Sequence, residues 1–260
     1  TENGWGGEKA EIPELADEIR NASRVSPKET EFPAIREIHG AGTRTMRRAA
    51  APAFLRRLGP WPEKWTRPAR PAETCGALRY GEAAFRRRSQ RNFVSRPLPP
   101  GYLERLLDAL CGPLEGGGTL PCTGFLVREA PGLDPGFHLL DRESGSTGRV
   151  DSGCSTDRMA RVCLDQAWLA NAAVHFLFMA NLALVDETLG PRGYRRAMLA
   201  AGRLGERIYL AATALGLGCC GIGAFYDAEA SACLGLNSES GLLYLVAAGP
   251  TKTKTKRETP

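Results

Sequence analysis

The segment Gly216-Leu-Gly-Cys-Cys-Gly-Ile-Gly-Ala-Phe225 decides between two classes of fold. It contains the pattern G-x-G-x-x-G, which binds dinucleotides when a strand precedes the glycines and a helix follows them. Upstream, apolar residues instead recur every three or four positions, as on the buried face of a helix: Ala201, Leu204, Ile208, Ala211 and Leu215. The reversed order argues against a dinucleotide-binding unit.

Two interpretations of the glycines stay open. Gly216 and Gly218 could form the left-handed cap and turn that end a helix. Alternatively, the segment could be a loop whose backbone N–H groups face a flat ligand, because glycine permits close approach.

A second cluster, Arg87-Arg88-Ser89-Gln90-Arg91, lies far upstream. The planar guanidinium donates paired hydrogen bonds to phosphate, so three arginines and a hydroxyl in one short stretch form a candidate anion site. An arginine run is also typical of a solvated surface. The anion site is favoured over a solvated surface only because the chain also contains the glycine segment.

Composition narrows the function classes. The chain has 260 residues, 43% hydrophobic and 24% charged, and a net charge of +5, which is ordinary for a globular protein. Basic and acidic residues are interleaved, so we expect no nucleic-acid partner. The apolar run at residues 170–185 is interrupted by Asn171, His175 and Asn181, so we expect no membrane span. His175 is expected to be a core residue.

The eight cysteines include no C-x-x-C pair and no clustered histidine, which argues against a structural zinc site and leaves no metal site predicted. No secretory leader is visible. We therefore expect a cytoplasmic protein whose cysteines are reduced, most of them buried as small apolar groups.

Proline content divides the chain into three predicted parts. Residues 1–72 combine short helical patterns with crowded prolines and are expected to form an extended arm, with Trp61 and Trp65 as anchors. Residues 73–250 are expected to form the compact domain. The low-complexity tail, residues 251–260, is expected to be flexible.

Periodicity predicts the elements of the compact domain. Continuous apolar runs predict buried strands at residues 174–180 and 241–248, and a shorter strand is expected at 137–140. Helices are predicted at residues 81–88, 158–170 and 193–215 and after Pro100, whereas residues 112–135 are expected to be irregular.

With these pieces in order, residues 83–249 resemble the nitroreductase superfamily, closest to its SagB-type dehydrogenase branch. Four motifs carry the resemblance: Arg87-Arg88-Ser89-x-Arg91-x-Phe93; Cys163-Leu-Asp-Gln166-Ala-Trp168-Leu-Ala170; Arg192-Gly-Tyr194-Arg195 with Ala201-Gly202-x-Leu204; and Ala214-Leu-Gly-Leu-Gly218 with Gly221-Ile-Gly-Ala-Phe225. The last motif is the most specific.

The resemblance implies an α+β fold with a mixed antiparallel sheet flanked by helices, and FMN bound at a dimer interface between long helices. Arg87 and Ser89 would hold the FMN phosphate, with Arg88 near the ribityl chain or phosphate. Arg91 would lie by N1 and O2 of the flavin. The backbone of Gly221, Ile222 and Gly223 would face the ring edge near N5, and Lys252 or Lys254 could join the phosphate clamp.

The implied function is an FMN-dependent oxidoreductase that works by ping-pong hydride transfer through flavin N5 on a small-molecule or peptide substrate. The implied partner is a second copy or a homologous nitroreductase-like domain, as in tandem members of the family. The alternative is a degenerate subunit or half-domain without catalysis that acts in assembly or peptide recognition.

Two departures from the family pattern matter. Azoline-oxidising members carry a Lys-Tyr pair where this chain has Thr188-Leu189, so azoline oxidation is not expected. The family's Pro-Ser-x-Gly segment is reduced here to Pro121-Cys122-Thr-Gly124, so part of a normal FMN pocket is expected to be missing.

Overall fold

The computed structural model describes residues 16–22, 30–41, 54–68, 78–112, 114 and 120–252. The chain divides into two compact units, Thr1–Ala41 and Gly42–Pro260. In the first unit, the described helices are α1 (Asp17–Ala22) and α2 (Pro33–Ala41).

The second unit holds a sheet of six described strands flanked by helices. The strands are β1 (Cys122–Val127), β2 (Gly136–Asp141), β3 (Ser146–Val150), β4 (Val174–Asn181), β5 (Gly218–Ile222) and β6 (Ser240–Gly249). The described α-helices are α3 (Tyr80–Arg86), α4 (Tyr102–Leu110), α5 (Thr156–Val162), α6 (Leu182–Leu189), α7 (Gly193–Ala214) and α8 (Asp227–Leu234). The expected α+β class is confirmed.

Strand order is β3-β2-β1-β4-β6-β5, and each neighbouring pair is antiparallel. All eight residues of β4 are buried, as their continuous apolar sequence predicts for a strand covered on both faces. β6 pairs with β4 on one side and with β5 on the other. β5 is the edge strand that presents the candidate site.

The predictions for β2, β4, β6, α3, α4 and α7 are confirmed to within a few residues. The helix predicted at residues 158–170 is confirmed only as far as Val162, where α5 ends, because Leu164 and Asp165 have positive φ angles of 58° and 56°. A separate 3-10 helix follows at Ala167–Asn171. The expectation of an irregular segment at 112–135 is also wrong in part, since it contains β1.

Gly216 ends α7 in the left-handed conformation, with φ of +69°. The Leu217 N–H donates to the Ala212 carbonyl at 2.8 Å and the Gly216 N–H donates to the Thr213 carbonyl at 3.1 Å, which is a Schellman cap. The cap interpretation is therefore confirmed for Gly216. Gly218, in contrast, is the first residue of β5.

Part of the predicted arm, residues 54–68, belongs to the second unit. Phe54 and Leu58 are buried in the hydrophobic core around a 3-10 helix, Phe54–Arg57. The Arg57 carbonyl accepts hydrogen bonds from the side chains of Asn181, Asn237 and Ser240. The domain boundary near residue 73 stays a prediction.

The two tryptophans of this segment contact each other. Trp61 and Trp65 meet edge to face with ring centroids 5.3 Å apart. Trp65 packs against the core, whereas Trp61 is 43% exposed. Trp65 therefore has the anchoring contact that the sequence predicts for both.

One pair of cysteines departs from the expected reduced state. Cys154, just before α5, and Cys233, in α8, form a disulfide with their Cα atoms 5.2 Å apart. The free cysteines Cys122, Cys163, Cys219 and Cys220 are buried, as expected. The 79-residue separation of the bonded pair gives no signal in the sequence.

Candidate functional site

The segment after α3 runs along the β5 edge of the sheet. Ser89 forms a parallel bridge with Cys219, and the Gln90 N–H donates to the Cys219 carbonyl at 2.8 Å. Farther along, Asn92 and Lys252 exchange backbone and side-chain hydrogen bonds of 3.1 Å. These contacts bring the arginine cluster and the start of the C-terminal tail to one place, although 160 residues separate Asn92 from Lys252.

A cleft of about 810 Å³ opens at this edge. The described residues that line it are Arg88, Ser89, Gln90, Arg91, Asn92, Thr251 and Lys252. Three of these residues are cationic and none is acidic. The cleft therefore presents a locally positive surface, with hydroxyl and amide groups beside it, which suits a phosphate or another anion.

Each arginine of the cluster has its own environment. The Arg88 guanidinium donates to the carbonyls of Phe85 and Arg87, at 2.8 and 2.7 Å, and so caps the end of α3. The Arg91 guanidinium lies 5.8 Å from the centroid of the Trp168 ring. Trp168 in turn stacks on Phe93 at 6.0 Å. Arg91 thus rests on an aromatic pair beside the cleft.

Arg87 points in a different direction. Its Nε lies 3.7 Å from a carboxylate oxygen of Glu206, and its guanidinium carbon lies 5.4 Å from the centroid of the Tyr209 ring. Arg87 is not among the described residues that line the cleft. The structure therefore separates Arg87 from Arg88, Ser89 and Arg91, which the sequence analysis grouped with it.

Tyr209 in α7 is a residue that the sequence analysis missed. Its side chain is 7% exposed, and its hydroxyl lies 2.8 Å from the Ser89 hydroxyl and 2.6 Å from the Gly221 N–H. Burial raises the pKa of Tyr209. A signal was present, since Gly205, Tyr209 and Ala212 recur at helical spacing on a buried stripe of α7, and a buried phenol usually needs a hydrogen-bond partner.

Gly221 is held between two tyrosines. Its N–H donates to Tyr209, and a Cβ built on it would overlap the hydroxyl of Tyr244. Burial raises the pKa of Tyr244 to about 12. The missing side chain at Gly221 thus makes room for Tyr244, which is a different use from the close ligand approach expected for it.

The neighbouring residues differ in accessibility. Ile222 is 4% exposed within β5, whereas Gly223 lies after the strand, is exposed, and has open space where a Cβ would be. Lys252 lines the cleft, and Lys254 lies outside the described residues. Of the three residues expected to face a ring edge, Gly223 alone is exposed to solvent.

The two segments in which the sequence departs from the family pattern lie within regular elements. Thr188 and Leu189 are the last residues of α6. Cys122, Thr123 and Gly124 are the first residues of β1, so they form sheet structure and not a loop. All three pair with β4, and Thr123 and Gly124 pair with β2 as well.

No three histidine, cysteine, aspartate or glutamate side chains lie close enough to hold a metal ion in the described ranges. None of the helices in those ranges combines the length and the apolar character needed to cross a membrane.

The chain is similar in sequence to known nitroreductases. A model of the nitroreductase family matches residues 134–250. The chain is 30% identical over 162 residues to a candidate nitroreductase of Methanocaldococcus jannaschii, and the match covers 58% of this chain and 82% of that relative.

Two solved structures share the fold. A candidate nitroreductase from Anabaena variabilis superposes with a TM-score of 0.60 at 25% identity, over 66% of this chain and 38% of that chain. A candidate nitroreductase from Ralstonia eutropha superposes with a TM-score of 0.59 at 21% identity, over 77% of this chain and 98% of that chain. The chain thus spans well under half of the Anabaena protein and nearly all of the Ralstonia protein.

Proposed function

Because the chain belongs to the nitroreductase family, we propose that it is an FMN-dependent oxidoreductase whose cofactor phosphate binds in the cleft beside β5. The observation that carries this proposal is the charge of the cleft. Arg88, Arg91 and Lys252 line it together with the Ser89 hydroxyl, and none of its described lining residues is acidic. Cationic and hydroxyl donors around one space are what a phosphate monoester requires.

The donor set fits the group in two respects. Ser89, Arg88 and Lys252 supply a hydroxyl and two cations for the phosphate. Arg91, supported by Trp168, supplies a positioned positive charge that would stabilise the negative charge of a reduced flavin. FMN, when bound, supplies the hydride chemistry, and the protein supplies position and electrostatics.

The branch within the family and the reaction are finer proposals. The four sequence motifs favour the SagB-type branch. With Thr188 and Leu189 at the end of α6 in place of a Lys-Tyr pair, we propose that the substrate is not an azoline.

The exposed face of α7 supports a paired assembly. Tyr194 and Leu199 are 57% and 62% exposed, and Met198 beside them is also exposed. A groove of about 510 Å³ opens on this face. It is lined by Arg195, Met198, Leu199, Gly202, Arg203 and Glu206. We infer that a second copy or a homologous domain covers this face, since an apolar strip on a long helix is typical of an interface.

A specific observation favours a second candidate, a subunit without catalysis. The Gly221 N–H and the Ser89 hydroxyl, two of the groups proposed for the cofactor, already share the Tyr209 hydroxyl as a partner. In this alternative the cleft has lost its cofactor, and the domain acts in assembly or peptide recognition.

An FMN titration of the purified protein separates the two candidates. We expect flavin absorption bands in the protein as isolated, or quenching of FMN fluorescence on titration. The bound flavin should then bleach with a nicotinamide or chemical reductant and recover with an oxidising substrate. Protein that neither carries nor takes up FMN would contradict the oxidoreductase and favour the subunit without catalysis.

A further inference from the structure

The Tyr209 hydroxyl joins two parts of the site that are far apart in sequence. It lies 2.8 Å from the Ser89 hydroxyl, which lines the cleft, and 2.6 Å from the backbone nitrogen of Gly221 in β5. Arg87 lies over the face of the same ring. One buried side chain of α7 therefore contacts the cleft wall, the edge strand and the arginine cluster.

The direction of these hydrogen bonds can be worked out from the donors. A backbone N–H can only donate, so the Tyr209 oxygen accepts from Gly221. Between Tyr209 and Ser89, either hydroxyl could donate. If Ser89 donated, the phenol proton of Tyr209 would need another acceptor, and in the described part of the chain its hydroxyl has no further partner.

The opposite direction satisfies every group. If Tyr209 donates to Ser89, the buried phenol proton has an acceptor, and the cost of an unmade hydrogen bond is avoided. Since burial raises the pKa of Tyr209, the phenol keeps the proton that it donates. The Ser89 proton is then left to point into the cleft, where an anion can accept it.

We propose that Tyr209 is a positioning residue for the anion in the cleft, through a chain of hydrogen bonds that runs from the Gly221 N–H to the Tyr209 hydroxyl, then to the Ser89 hydroxyl and the bound anion. The identification of that anion as the FMN phosphate rests on the proposed function. Hydrogen bonds in such a chain polarise and strengthen one another. Tyr209 thus links phosphate binding at Ser89 to the backbone of β5.

The variant Tyr209→Phe tests this chain, because it keeps the ring that packs in α7 and removes only the hydroxyl. Affinities for FMN and for riboflavin, which lacks the phosphate, are measured side by side. We expect the FMN dissociation constant to rise about tenfold, because the Ser89 hydroxyl that contacts the phosphate loses the donor that orients it, and the riboflavin constant to change less than about twofold. Tyr226→Phe, at a tyrosine that is 51% exposed and follows β5 closely, is the matched control and should change neither.

The ratio of the two affinities separates positioning from a structural effect. Loss of the hydroxyl also leaves the Gly221 N–H without its partner, and a distorted site would weaken both flavins alike. Equal weakening of FMN and riboflavin, or no weakening of either, would overturn the proposal. The double variant with Ser89→Ala adds a second check, because two residues of one chain should give less than the sum of their separate effects.

Failure of the proposed function would show differently. If the wild-type protein takes up neither flavin, the FMN assignment is wrong, and the hydrogen-bond chain is decided with inorganic phosphate. Phosphate should then raise the melting temperature of the wild type more than chloride of equal ionic strength does, and Tyr209→Phe should lose that increment. Equal increments in both proteins, or none in the wild type, would overturn the chain itself.

Discussion

The centre of the sheet and its β5 edge are held together by different forces. In β4, at the centre, all eight residues are buried, with Phe176 and Phe178 on one face of the strand and His175 and Leu177 on the other. At the edge, the neighbours of β5 include an irregular segment held by bridges and hydrogen bonds from Ser89 and Gln90. The centre depends on buried apolar area, whereas the edge depends on a few polar contacts that also face a cleft.

This difference separates stability from ligand chemistry within one domain. Apolar burial is non-directional and contributes no group that contacts a ligand. Loss of side-chain volume at the centre should therefore lower the stability of the fold without changing the ligand contacts. Polar groups at the edge keep donors available for an anion. Substitutions in the two regions should therefore change different measurable quantities.

The largest expected effect lies at the centre. Phe176 is fully buried and packs against Phe125 with ring centroids 6.4 Å apart. Phe176→Ala should lower the free energy of unfolding by about 3–5 kcal/mol, through lost apolar burial and a cavity. Urea unfolding measures this change.

The control is a phenylalanine outside the core. Phe85 in α3 is 83% exposed, and Phe85→Ala should change the free energy of unfolding by less than about 0.5 kcal/mol. Similar losses in the two variants would break the contrast between the centre and the edge.

His175 provides a pH-dependent test of the same centre. It is fully buried in β4, its Nε2 contacts the Leu169 carbonyl at 2.9 Å, and burial lowers its pKa from 6.5 to about 4. Between pH 6.5 and 4, His175 is protonated in the unfolded chain but stays neutral in the folded chain. The free energy of unfolding should therefore fall as the pH drops from 6.5 to 4. The contribution is on the order of 3 kcal/mol and is fully present above this window.

Chemical denaturation across this pH range measures the effect. His175→Gln keeps a side-chain N–H donor for the Leu169 carbonyl and should flatten the His175 part of the profile. His39→Gln, at the exposed histidine of α2, should leave the profile unchanged. An unaltered profile in His175→Gln would show that other groups cause the acid sensitivity.

The same contrast explains how far the sequence predicts the fold. The strands β4 and β6 and the helix α7 are long and strongly patterned, so their periodicity is readable. The strand β1 was missed because it begins just after Pro121 and contains Gly124, both unfavourable for a strand, and pairing with β2 and β4 overrides that preference. The predicted helix at 158–170 ends early because Leu164 and Asp165 take up left-handed backbone angles, which the apolar spacing does not reveal.

The candidate site was predictable only in part. The arginine cluster and the glycine segment could be recognised as local motifs, and the resemblance added Lys252. The Arg87 side chain points towards Glu206 and Tyr209 of α7. This orientation depends on where α7 lies, and no local sequence pattern contains that information. Helical spacing could have shown that Tyr209 is buried, but not which groups it contacts, since its partners Ser89 and Gly221 lie 120 residues before it and 12 residues after it.

The smallest expected effect on stability, and the one most specific to the edge, belongs to Arg91. This exposed side chain lines the cleft beside Trp168, so Arg91→Ala should change the free energy of unfolding by less than about 0.5 kcal/mol. It should nevertheless weaken FMN binding by about 1.5–3 kcal/mol, the usual value of a hydrogen bond to a charged group.

Arg96→Ala is the matched control, because Arg96 is an exposed arginine of the same segment but is not among the described lining residues of the cleft. Titration of FMN fluorescence and urea unfolding of the three proteins measure both quantities. If Arg91→Ala and Arg96→Ala weaken FMN binding equally, the flavin is attracted by general positive charge and not by the cleft. That result would contradict the assignment of the β5 edge as the binding site.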